Sequence, residues 1–473
     1  MRVAPVLLAA AFTVSAVAGQ RESRIPNAAL LTAAQLRERA LADDTGWMLV
    51  ESLTTEVGPR MAGSPGDARA VAWAVAKFKA LGYDRVWTEP VTFPRWVRRS
   101  ESGAVLGVHA QPLVLTALGG SVGGTVEGEV VRFADLAALE AAPAGSLAGK
   151  IAFVDYRMQR ARDGSGYGPA SKVRSSGPSA AIRAGAIGYV MRSAGTDWQR
   201  NPHTGNTRYD PRLTPIPAAA LANPDADQLA RLLALEPTRV RLALDCGFEG
   251  TATSYNVIGE ITGSKAAGGK RRHEVVLIGG HLDSWDLGTG AIDDGAGIAI
   301  TMAAGHLIGK LRKPPKRTIR VVGFANEEQG LYGGKAYAQA HAHEIAEHQL
   351  MAESDFGAGR IYAFNSNAPT AAQAAVTQIA EALAPLGIER VTVKGGAGPD
   401  IGPIAANGAT WAWLGQDGTE YFDLHHTADD TLDKIDPQAL AQNVAAYAVF
   451  AYLAAQADGD FGSAAKPATP PRQ

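Results

Sequence analysis

Val275-Val276-Leu277-Ile278-Gly279-Gly280-His281-Leu282-Asp283-Ser284 decides how the rest of the chain is read. An unbroken apolar run ending in Gly-Gly-His predicts a strand buried on both faces, as in a parallel sheet covered by helices. It delivers a histidine at its carboxyl end, where open α/β sheets bind their ligands. Outward from there the pattern recurs. Further strands are expected over 256–261, 318–325, 349–353 and 410–415, with helices over 296–311, 331–343, 370–386 and 437–455. The alternation predicts an α/β fold, a mainly parallel central sheet with helices on both faces.

Metal-type ligands follow these strands. His281 closes the first, and Asp283 can take its second ring N–H and set the tautomer. A lone histidine is more often structural. Gly290-Ala291-Ile292-Asp293-Asp294-Gly295 places an Asp pair before a helix, which read alone is as well explained by an N-cap. Asn326-Glu327-Glu328 ends the strand over 318–325. The bland reading, first-turn carboxylates on a helix dipole, ranks first in isolation. Two adjacent buried carboxylates are costly, however, unless a cation compensates them. Glu353-Ser354-Asp355 and His425-His426-Thr427-Ala428-Asp429-Asp430 complete the series. Together they supply two histidines and three carboxylates with one carboxylate to spare. A nitrogen and oxygen set without thiolate suits two zinc ions sharing a bridging carboxylate, which is peptide-hydrolysis chemistry.

The remaining sequence bounds that reading. The chain has 473 residues, 46% hydrophobic and 19% charged, enough for two or three domains with proper cores. Its 45 basic residues nearly balance 47 acidic ones, so neither nucleic acid nor an acidic membrane face is expected as a partner. Cys246 is the only cysteine, excluding an intrachain disulfide and a thiolate cluster. Residues 1–18 read as a signal peptide, with an Arg, a short apolar run and a small-x-small site, so an exported, periplasmic or extracellular protein is expected. Residues 19–45 form a polar, propeptide-like lead. The peptidase-type domain is expected over 46–105 and 251–456, interrupted at 106–250 by an inserted β-rich domain, with a frayed tail at 457–473. Gly119-Gly120-Ser121-Val122-Gly123 matches a serine-hydrolase elbow, but a strand pattern rather than a helix follows it. Gly149-Lys150 lacks the hydroxyl residue of a phosphate loop.

The ordered set of motifs resembles the cocatalytic di-zinc exopeptidases that include bacterial leucyl aminopeptidase and glutamate carboxypeptidase. The likeness runs from Thr55-Glu56-Val57-Gly58-Pro59-Arg60 to the closing helix. It implies a zinc-exopeptidase (phosphorylase/hydrolase-like) fold with two zinc ions. His281 would bind one ion, Asp293 bridge both, Glu328 and Asp355 serve one ion each, and His426 supply the second imidazole. Glu327 would be the general base and acid, with Asp283 behind His281. His425 and Glu353 lie beside the chosen ligands; His426 is preferred because it begins the family's His-Ser/Thr-x-x-Asp-Thr pattern. The resemblance also implies a cis peptide after Asp293, a homodimer and, for 106–250, a protease-associated domain. Short peptides with a free amino terminus are the expected substrates, dipeptides first, with aminopeptidase action on longer peptides as the alternative. A glutaminyl cyclase or a metal-free binding protein on the same fold are the readings from other classes.

Overall fold

The computed structural model describes residues 22–269, 271–392 and 395–464. The expected signal peptide and residues 465–473 lie outside them. Val275–His281, Thr318–Phe324 and His348–Glu353 pair in parallel, with Val275–His281 in the middle. Side chains alternate across a strand, so each face needs its own apolar set. Val276, Ile278, Ile319, Val321, Leu350 and Ala352 enter one cluster with helices Ala296–Gly309 and Pro437–Gln456. Val275, Leu277, Val322, Phe324 and Met351 enter a second with Tyr337, Ile401 and Ile404. Two covered faces explain why Val275–Gly280 is apolar at every position; the buried Arg320 of the neighbouring strand is paired with Glu260 at 2.9 Å.

The strand expected over 256–261 is only the end of Arg239–Ile261, a 23-residue strand. It runs antiparallel to Thr318–Phe324 and pairs along its length with the 22-residue strand Arg85–Leu106, which the sequence reading missed. Much of that two-stranded ribbon is half-exposed, and Pro90, Pro94 and charged residues dilute its alternation. Arg239–Ile261 crosses the expected boundary at 250 and Arg85–Leu106 ends on the one at 106, and one 11-stranded sheet runs through two lobes. The sheet is therefore mixed, with a parallel set in each lobe joined through this antiparallel ribbon.

The second lobe is α/β rather than β-rich. Gly124–Phe133, Ile151–Val154, Gly188–Arg192 and Ala218–Leu221 pair in parallel. Helices Tyr167–Arg183 and Asn223–Leu235 accompany them. Tyr167–Arg183 carries Pro178 and several Gly and Ser residues, so local propensity reads as loop. Burial of Val173, Ala180 and Ala181 against Val154 and Tyr189 overrides that preference. The strand expected over 410–415 is Ala412–Gln416, which pairs antiparallel with Ile361–Ser366 in a separate three-stranded sheet.

Two terminal expectations change. The lead contains helix Asn27–Leu41, whose Ala29, Ala33, Leu36 and Ala40 are buried in the core shared with the closing helix. Part of the expected tail is docked. Phe461 is fully buried, its N–H donates to Gln349 Oε1 at 3.1 Å, and Arg317 donates to the Ala457 and Gly459 carbonyls.

Candidate metal centre and cleft

The ends of the three parallel strands and the loop before the closing helix converge. His281 Nε2 lies 2.9 Å from Asp293 Oδ1 and 3.5 Å from Asp355 Oδ1. His426 Nε2 lies 3.1 Å from Asp293 Oδ2 and 2.8 Å from Glu328 Oε2. Three groups with metal-ligand spacing result: His281–Asp293–Asp355 and Asp293–Glu328–His426, which share Asp293, and the all-histidine group His203–His425–His426. All five predicted ligand residues thus meet, with one oxygen of Asp293 directed to each side.

Local structure explains each placement. A Cβ at Gly280 would collide with the Asp294 carboxylate and come within 2.9 Å of the Ser354 carbonyl, so only glycine lets the strand end lie against its neighbours. The Asp pair divides its work. Asp294 accepts from His281 N and Gly297 N, each at 3.0 Å, fastening the strand end to the next helix, while Asp293 faces the histidines. The peptide bond between them is cis. Asp283 lies 3.6 Å through its carboxylate, and 3.1 Å through its carbonyl, from His281 Nδ1. Its carboxylate also accepts from Glu327 N and Glu328 N at 3.0 and 3.4 Å. Glu353 points elsewhere, capping Asp400 N and Ile401 N at 3.1 and 3.0 Å.

The sequence reading did not assign Arg60, which no pattern of adjacent ligands reveals. Its guanidinium is fully buried and donates to the carbonyls of Leu282, Thr289 and Gly290 at 2.6–2.7 Å. Asp430 complements it, accepting from Ile292 N at 2.6 Å and Asp293 N at 3.3 Å. Between them they clamp both ends of the 282–293 loop. The side chains that the second lobe brings to the site were not singled out either. Tyr167 stacks on Phe422 at 4.1 Å, and the Thr204 carbonyl faces His426 Nδ1 at 3.3 Å. That contact makes Nδ1 the donor and leaves Nε2 free as a ligand.

Charge is concentrated here. Burial alone would lower His281, but the carboxylates of Asp355, Asp283 and Asp293 outweigh it and hold the ring well above its ordinary pKa. Burial likewise opposes a charged His426, yet Glu328 and Asp293 raise it to about 9. Burial pushes Glu327 well above the carboxylate range, reinforced by Asp355 and Glu328. Burial and Asp293 bring Glu328 to about 7. Buried carboxylates in this number need cations, and a metal would serve them by displacing the ring protons. The donor set fits such an ion: Glu328 Oε1 and Asp293 Oδ2 are buried with no hydrogen bond of normal geometry.

A cleft of about 460 Å³ opens onto the cluster, lined by Asp293, Glu327, Glu328, Asp355, His425 and His426 on one side and by Tyr167, Arg174 and Arg208 of the second lobe on the other. Ser121 takes no part. It is buried in the second lobe, its Oγ donating to the Val122 carbonyl and accepting from Ala218 N at 2.9 Å.

Comparison with known proteins agrees with this geometry. Residues 256–451 match the profile of peptidase family M28. Carboxypeptidase Q of Homo sapiens is 33% identical over 85% of this chain and 84% of its own length, and that of Xenopus laevis 33% over 84% and 83%. The crystal structure of a peptidase M28 precursor from Shewanella amazonensis SB2B superposes with a TM-score of 0.90 at 48% identity, covering 93% of this chain and 99% of that one. An aminopeptidase from Aneurinibacillus sp. strain AM-1 shares the fold at a TM-score of 0.61 and 23% identity. With its ligand-type residues gathered at the strand ends and relatives matched over most of its length, the chain belongs to peptidase family M28.

Proposed function

We propose that this protein is an exported di-zinc exopeptidase that hydrolyses short peptides, dipeptides first, from a free amino terminus. The carrying observation is the shared Asp293, which joins two ligand groups into one centre facing the cleft. His281, Asp293 and Asp355 would hold one zinc ion, and Asp293, Glu328 and His426 the other. When bound, such a pair polarises a carbonyl and acidifies water near neutral pH. Glu327 lines the cleft beside the ligands with its backbone N–H tied to Asp283, so its carboxylate is placed to take a proton from the attacking water and return it to the leaving amine nitrogen. Arg60 and Asp430 keep Asp293 in place between the two groups.

Export rests on residues 1–18. No helix among the described residues is long and apolar enough to cross a membrane. The family resemblance adds a homodimer, which sedimentation of the mature chain would measure.

The deciding assay is hydrolysis of a neutral dipeptide and its N-acetylated form by the protein as isolated, after chelation, and after zinc is restored. Activity should vanish on chelation, return with zinc and be absent on the acetylated peptide. No hydrolysis in any state, with metal bound, would turn the reading to a cyclase or a binding protein. Equal rates on dipeptides and longer peptides would replace dipeptidase with aminopeptidase action.

A further inference from the structure

His203 belongs to the second lobe, yet its ring is buried against the ligand loop of the first. Its Nε2 lies 2.9 Å from His425 Nδ1. The other nitrogen of His425, Nε2, lies 3.4 Å from Asp293 Oδ2, and the ring lines the cleft. The two ligand groups that share Asp293 are complete without His425, which with His203 and His426 forms a third, carboxylate-free group. We propose that His203 is a positioning residue that fixes the tautomer of His425, so that His425 presents an Nε2–H donor into the cleft beside the bridging carboxylate, where negative charge develops on the scissile carbonyl oxygen. The inference rests on the peptidase reading.

The two neutral rings share one proton across their contact, and each arrangement has consequences. If His425 Nδ1 donated, His203 would carry its proton on Nδ1, which is buried with no hydrogen bond of normal geometry, leaving a poorly satisfied donor. His425 Nε2 would then turn a lone pair toward the Asp293 carboxylate. If His203 Nε2 donates, His203 keeps only an unused lone pair, and His425 Nε2–H faces Asp293 Oδ2 attractively. The second arrangement avoids both penalties.

The supports are rigid. His203 N donates to Ser193 Oγ at 2.9 Å, and Ser193 Oγ donates to the Leu221 carbonyl at 2.7 Å, tying His203 to the second lobe's sheet. Thr204 follows, its N–H donating to the His426 carbonyl at 3.0 Å. Tyr167 meets the His425 ring edge to face at 5.3 Å and His426 stacks on it at 3.5 Å, so it has no room to turn. A preorganised donor of this kind acts on kcat, because the charge it meets exists in the transition state.

The test joins kinetics with a spectroscopic reading of the rings. Long-range proton–nitrogen correlation of histidine-labelled protein should show His425 protonated on Nε2; protonation on Nδ1 would overturn the proposal without reference to activity. His203→Leu should lower kcat on a dipeptide about tenfold or more, leaving KM and bound metal unchanged. His203→Gln, whose amide can donate to the same nitrogen, should remain within a few-fold of the unsubstituted protein. Unchanged kcat in His203→Leu, metal lost with activity, or a Gln variant as impaired as Leu would each reject the positioning role. An unsubstituted protein that hydrolyses no peptide would sink the peptidase reading and leave the tautomer measurement to decide this one.

Discussion

At the residue scale, neighbours in sequence take different work according to where their side chains point. Asp293 faces the histidines while Asp294 caps a helix, and Asp355 joins the ligands while Glu353 caps backbone. Glu327 and Glu328 divide in the same way, since Glu328 approaches His426 at 2.8 Å and Glu327 lines the cleft outside both ligand groups. Glu327→Gln is therefore expected to lower kcat by about a hundredfold or more while bound zinc, measured by elemental analysis, stays at the unsubstituted level. Loss of metal in that variant would make Glu327 a ligand instead. The sequence could list these acids but not their rotamers, which decide between the two roles within each pair.

Elements extend the argument to regions that looked peripheral. Helix Asn27–Leu41 turns Leu36 into the core against the closing helix, with 1% of the residue exposed. Leu36→Ala should cost about 2–5 kcal/mol, read as a lower denaturation midpoint with the slope unchanged; a loss under 1 kcal/mol would mean the lead is loosely held. Asp67, in the first turn of helix Pro65–Ala80, ties that helix to the long ribbon: it accepts from Gly63 N at 2.9 Å and from Ser254 Oγ at 2.7 Å. Burial raises its carboxyl to about 6. A raised acid holds its proton more tightly when folded, so its stabilisation is complete below about pH 4 and is lost as pH rises through about 6. Relative to Asp67→Asn, the unsubstituted protein should lose about 2–3 kcal/mol between those limits, measurable as paired denaturation curves. A constant difference across that range would remove Asp67 as the cause.

On the scale of the whole molecule, one sheet carries two lobes, and the cleft lies where both contribute side chains. The acidic centre is enclosed by that assembly, so a bound cation stabilises the folded chain as well as the reaction. Chelation should lower the melting temperature by roughly 5 °C or more, with zinc restoring it in a calorimetric scan. An unchanged melting temperature on complete metal removal would show that the carboxylates are satisfied without a cation.

By itself the sequence determined the α/β character, the order of the apolar strands and the paired acids and histidines that follow them, among which the family resemblance singled out five. Those signals are local, because a strand covered on both faces is largely apolar and the ligand-type residues follow within a few positions. The tertiary structure alone decided the ribbon joining the lobes, the helices of the second lobe, the clamp by Arg60 and the approach of His203 to His425. Arg60 meets its carbonyls 222 to 230 positions along the chain, and His203 meets its partner 222 positions away. Contacts at that separation leave no periodicity in either segment, since each residue type is chosen for a neighbour that only folding brings near.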